Sequence, residues 1–183
     1  FARPRHLGAV IDHVLADGEL GGALLPERVG VIGHSLGGYT ALAVAGGIPT
    51  TIPREDPDGV SRALAVATDP RVAALVLLAP ATAWYREEGA LDAVAVPVLM
   101  MSGDRDEITT SWHSEVVEKG LGSAAPLEHR VVPGAGHFSF LSPYPPELIG
   151  PDAPASLDPE GFDRPAFHEE MEAEILAFLR RVL

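Results

Sequence analysis

Arg28-Val-Gly-Val-Ile-Gly-His-Ser-Leu-Gly-Gly38, running on into Tyr39-Thr-Ala-Leu-Ala-Val-Ala-Gly-Gly47, is the stretch on which the fold turns. Arg28 to Gly33 is short, apolar and β-branched, the composition of a strand buried on both faces of a parallel sheet. Leu36 to Ala45 is rich in Ala and Leu and stops at Gly46-Gly47, which reads as a helix with its end signal. Upstream, Arg5 to Asp17 sets Leu7, Val10, Ile11, Val14 and Leu15 at three- and four-residue intervals, so a first amphipathic helix is expected there. Downstream, Ile48 to Gly59 carries three prolines and reads as a loop, and Val60 to Thr68 reads as a helix. Three more apolar runs, Val72 to Ala79, Val96 to Met101 and Leu127 to Val132, predict strands. A weak helix over Thr110 to Gly120 lies between the last two. The final helix, Pro165 to Leu183, has Asp163 as its cap and a stripe of Phe167, Met171, Ile175, Phe178, Leu179 and Val182. Strands alternating with helices imply an α/β fold, a mostly parallel sheet with helices on both faces.

The whole chain, 1–183, reads as a single domain; 46% hydrophobic composition is ample for one core. The Pro-rich excursion 143–159 is too long for an ordinary connector and is expected to be either disordered or a wall of a site. Twenty-six acidic against 13 basic residues give a net charge of -13, which argues against nucleic acid or an anionic membrane surface as partner. With no cysteine there is no disulfide, thiolate zinc site or thiol nucleophile. No apolar run reaches the ~18 residues of a membrane span, and nothing in the chain reports its localisation.

Gly33-His-Ser-Leu-Gly37 matches Gly-x-Ser-x-Gly. With 19 Gly in the chain, a shuffled sequence gives roughly 0.1 such matches, so context has to decide. The motif closes a strand and opens a helix, as a nucleophile elbow requires. Ser35 is then expected in a strained backbone conformation, with Gly33, Gly37 and Gly38 too close to neighbouring backbone for side chains. The plainer reading is a tight turn with Ser35 as helix cap.

A serine nucleophile needs a base, and the base needs an acid to hold its tautomer. Ser102-Gly-Asp-Arg-Asp-Glu107 places acids at the carboxyl end of a strand, where sites on parallel sheets are built. Asp106 is favoured over Asp104 because Gly103 permits a turn first; Glu107 ranks third. Pro133-Gly-Ala-Gly-His137 sets a histidine in a Gly-rich loop beyond the next strand. The order Ser35, Asp106, His137 is that of α/β-hydrolases. For His6, His13, His113 and His168 on helices, and His129 in a strand, ordinary surface or capping roles suffice. His34 beside the nucleophile is a candidate substrate contact rather than a base. Phe138 and Trp84, with Phe140 and Tyr144, are candidates for an acyl pocket, and Leu36 N–H for an oxyanion donor. No metal-ligand spacing and no Gly-rich phosphate cradle occurs, so neither a metal nor another cofactor is expected.

On Arg28 to Gly38, Asp69-Pro-Arg-Val-Ala-Ala-Leu-Val-Leu-Leu-Ala-Pro80, Gly103-Asp-Arg-Asp106, Gly134-Ala-Gly-His-Phe-Ser-Phe-Leu141 and Phe167-His-Glu-Glu170, the sequence resembles the C-terminal part of an α/β-hydrolase. More narrowly it is similar to dienelactone-hydrolase-like and platelet-activating-factor-acetylhydrolase-like esterases. The resemblance implies Ser35 as nucleophile, Asp106 as acid and His137 as base, acting on a small-molecule or lipid-like ester. It differs from true dienelactone hydrolases in having Ser where they have Cys. Thioesterase, peptidase or acyltransferase chemistry on the same scaffold, or a non-catalytic module, stay open. Such enzymes carry several strands and half of an oxyanion hole ahead of the elbow, where this chain has one helix and begins at Phe1. The expectation is therefore a piece of a longer or processed enzyme, with Val29 to Ile32 as an exposed edge partnered by an N-terminal segment or a second chain.

Overall fold

The computed structural model describes residues 2–122 and 125–183. Helix α1 (Arg3–Ala16) leads to strand β1 (Val29–His34), helix α2 (Leu36–Val44) and strand β2 (Val72–Leu78). Strand β3 (Val98–Gly103), helix α3 (Ser111–Gly120), strand β4 (Leu127–Val132) and helix α4 (Arg164–Val182) complete the order. The four strands form one sheet in the order β1-β2-β3-β4, and every pairing is parallel. The chain thus has an α/β fold that crosses its sheet in one direction.

Alternation along the strands explains why both faces are covered. On β2, Leu75 and Leu77 point to one core, with Leu42 and Val44 of α2 and Val117 of α3. Ala74, Val76 and Leu78 point to the other, with Phe167, Met171 and Phe178 of α4. A strand buried on both faces reads as a continuous apolar run, as Val72–Leu78 does. Among the described residues β1 is an edge strand, and of the edge expected to be exposed over Val29 to Ile32 only Ile32 is, at 53%; Val31 is buried and Val29 and Gly30 are half-buried.

The expected helix at Val60 to Thr68 does not form. Thr50 and Ala63 make an isolated antiparallel bridge, with Thr51 N–H donating to Arg62 O and Leu64 N–H to Pro49 O. Extended pairing against residues 49–51 satisfies these backbone groups and displaces the short helix, which at nine residues has little stability of its own. The cap of α4 is as expected, Asp163 Oδ1 accepting from Ala166 N–H at 3.0 Å. The Pro-rich excursion is ordered as short 3-10 turns at Pro146–Leu148 and Pro154–Ser156. The buried Arg164 guanidinium ties it down, donating to Asp158, Ala155 O and Leu157 O. No helix among the described residues is long and apolar enough to cross a membrane.

Candidate active site

Ser35 sits between β1 and α2 with φ 54° and ψ -117°. That strained, left-handed backbone lifts its side chain out of the turn. Its peptide is held at both ends: Ser35 N–H donates to Leu78 O, and Ser35 O accepts from Gly38 N–H and Ala81 N–H. A Cβ on Gly33 would collide with Gly37 O, and one on Gly38 would lie 2.6 Å from Pro80 Cβ. Gly37 departs from expectation, since a Cβ there meets nothing within 4 Å. It is already a regular helical residue pointing away from the turn. Leu36, as the first residue of α2, has no helical carbonyl for its N–H to reach.

His137 and Asp106 arrive from β4 and β3. Strands β1 and β4 are three spacings apart, about 14 Å, so the loop after β4 must bend across the end of β3. It passes directly over Gly103, where any Cβ would collide with Ala135 O. Asp104 fixes the crossing by accepting from Gly134 N–H at 2.6 Å. His137 then lies with Nε2 3.0 Å from Ser35 Oγ and Nδ1 2.8 Å from Asp106 Oδ2. An ionised carboxylate only accepts, so Nδ1 carries the proton and Nε2 is free to accept from the serine hydroxyl.

Asp106 is buried, which on its own raises the pKa of its carboxyl. Donors outweigh that and hold it below the usual carboxylate range: His137, the Thr109 hydroxyl and the N–H groups of Thr109 and Ile108. Thr109 Oγ1 lies 2.7 Å from Asp106 Oδ2. Sequence reading did not single out this threonine; the signal present was that an Asp side chain tends to accept from backbone N–H two residues on, here Ile108. Asp104 faces the loop backbone, and Glu107 is exposed.

A cleft of about 760 Å³ abuts the His137–Asp106 half of the array, lined among others by Ile108, Phe138, Leu157 and Pro159. The Pro-rich excursion is therefore a wall of this cleft. Phe138 lies edge-on to the His137 ring at 5.2 Å. Trp84 is not brought to the cleft; it packs edge-on against Tyr39 at 5.3 Å, against the core under α2, because the turn after β2 directs it back toward that helix. Phe140 is buried against Phe167, and Tyr144 lies beside Arg164. His34 does not reach the cleft either: its Nε2 is 2.9 Å from His137 O.

Two helical histidines for which surface or capping roles were expected are buried. His113 Nδ1 accepts from Thr82 N–H at 2.9 Å, and His168 Nε2 donates to Ser139 O at 3.1 Å. Both helices turn these residues toward loops whose backbone groups need partners. A second Ser-His-carboxylate array joins β3, β4 and α3, with Ser102 Oγ 2.8 Å from His129 Nε2 and His129 Nδ1 2.7 Å from Glu118 Oε1. Ser102 lies inside a paired strand opposite Val131, without positive φ and with no helix opening behind it. It ties α3 to the sheet edge. Among the described residues no group of three or more His, Cys, Asp or Glu side chains is placed to hold a metal ion.

No family model matches the chain, and no curated protein matches it. Among solved structures it is similar to a point variant of SOBER1 from Arabidopsis thaliana, with 20% identity over 73% of this chain and 54% of that one and a TM-score of 0.47. The chain spans about half the length of that protein.

Proposed function

We propose that this chain carries the active site of a serine hydrolase of α/β-hydrolase type, cleaving carboxylic esters through an acyl-serine intermediate. The observation that carries the proposal is the continuous relay Ser35 Oγ, His137, Asp106, mounted on a strained strand-to-helix turn. Ser35 Oγ attacks the acyl carbonyl carbon as its proton passes to His137 Nε2, and Asp106 stabilises the imidazolium. Leu36 N–H donates to the oxyanion. Collapse breaks the acyl–oxygen bond, and the leaving alkoxide takes the proton from His137. Water, deprotonated by the same imidazole, then releases the acid and frees Ser35.

Ile108, Phe138, Leu157 and Pro159 give the neighbouring cleft an apolar part beside the charged Asp104, Arg105 and Glu107, which favours a small-molecule or lipid-like ester with both an apolar and a polar portion. Likeness to dienelactone-hydrolase-like and platelet-activating-factor-acetylhydrolase-like esterases rests most on Gly136 to Leu141 and on the segment before the last helix. Serine in place of cysteine favours ordinary esters within that comparison. The test is stoichiometric labelling by a fluorophosphonate, with the modified peptide identified by mass. Label on Ser35, lost in Ser35→Ala together with turnover of an activated ester, is the expected result. An unlabelled Ser35, or label that persists on Ser102, overturns the proposal.

A further inference from the structure

His34 is fixed twice over. Its backbone belongs to β1, in register with Leu78, and its side chain reaches 103 residues along the chain to the His137 carbonyl, Nε2 to O 2.9 Å. The two imidazole rings are 4.8 Å apart, tilted by 47°. Because a carbonyl only accepts, His34 Nε2 must carry a proton, and that polar tip is spent inside the protein rather than offered to a substrate.

Resting on the hydrolase reading above, we propose that His34 is a positioning residue that clamps the base-bearing loop to the nucleophile elbow. The loop has other holds: Ser139 Oγ accepts from Gly136 N–H and donates to Asp158, and His168 holds Ser139 O. Those tie the loop to α4 and to the Pro-rich wall. Apart from the reacting pair Ser35 Oγ and His137 Nε2, His34 is the side chain among the described residues whose hydrogen bond ties the loop to β1, the strand that runs into Ser35, so it sets the distance between nucleophile and base. Its charge state suits the task. Burial pushes the His34 imidazole below the usual histidine range, the hydrogen bond to His137 O works against this, and His137 and Asp106 are the charged groups acting on it. An uncharged His34 does not oppose the imidazolium that forms on His137 during turnover.

The test compares the wild-type 183-residue chain with His34→Gln, whose amide N–H reaches about as far as Nε2, and His34→Asn, whose amide stops short. His34→Asn is expected to lower kcat for an activated ester, and the rate of Ser35 labelling, roughly 10- to 100-fold. KM should stay within about twofold, and His34→Gln should regain most of the loss. A raised KM at unchanged kcat makes His34 a substrate contact and overturns the proposal, as does a His34→Gln enzyme no faster than His34→Asn. If His34→Asn does not fold, His34→Ala takes its place. If the wild type is neither labelled nor active, the hydrolase reading has failed, and the clamp is judged from imidazole resonances in nuclear magnetic resonance spectra. His137 signals displaced in His34→Asn and restored in His34→Gln uphold the clamp; signals identical in all three overturn it.

Discussion

Buried histidines do different work according to which nitrogen is spoken for. In His137 the Nδ1 proton is committed to Asp106, leaving Nε2 free to accept from Ser35 Oγ. His113 has the reverse assignment. Its Nδ1 accepts from Thr82 N–H, so protonation there would set two donors against each other. Burial, then the nearby Arg86 charge, lower its pKa to about 4 from 6.5. The unfolded chain therefore binds more protons than the folded one between these values, so stability is full above pH 6.5 and falls as pH drops toward 4. The loss is on the order of 2 kcal/mol after allowance for solvent screening. Urea midpoints measured across that window should flatten in His113→Asn, which keeps an acceptor for Thr82 and cannot titrate. An unchanged slope in the variant would assign the effect to another group. Asp106, held below the usual carboxylate range, stays charged throughout it.

At the scale of elements, the turn from β1 to α2 separates glycines that look alike in sequence. Gly33 and Gly38 face backbone or Pro80 at distances no Cβ tolerates, while Gly37 faces open space. Gly37→Ala should therefore leave ester turnover intact and raise thermal stability by up to about 1 kcal/mol through helix propensity. Gly33→Ala should displace Ser35 and abolish labelling. Measuring melting and labelling on both variants checks the pair, and equal effects would mean that the turn is looser than described. That Ser35, Asp106 and His137 would meet was legible in the sequence because each follows an apolar strand in a loop with few other uses. Thr109 and His34 were not assigned their contacts, since one depends on a turn folding back on Asp106 and the other on a residue across the sheet. The Val60 to Thr68 segment misled for a related reason: its composition permits a helix, and the backbone of residues 49–51 competes for it. Trp84 was likewise drawn to Tyr39 by a packing partner that spacing does not reveal.

Across the whole molecule, the sheet order β1-β2-β3-β4 puts the serine and histidine loops at opposite edges. Their meeting needs three things together: the bend over Gly103, the Pro-rich wall anchored by Arg164, and α4 beneath it. Both faces of the sheet beneath the relay are covered, one by α2 and α3 and the other by α4. This architecture was the most readable level of all, because alternating apolar strands and helices constrain topology more tightly than any single side chain constrains its contacts.

The 102-residue interval between Ser35 and His137 also has a meaning in time. Contacts so far apart along the chain are closed late, after local helices have formed and nearer strands have paired. On dilution from denaturant, helical ellipticity should recover first and fluorophosphonate reactivity last, so stopped-flow circular dichroism and timed labelling should give separate phases. Reactivity that returned with the first phase would place the joining of the sheet's two edges early in folding. If it returns last, the reactive serine doubles as a chemical clock, counting only those molecules whose final long-range closure is complete.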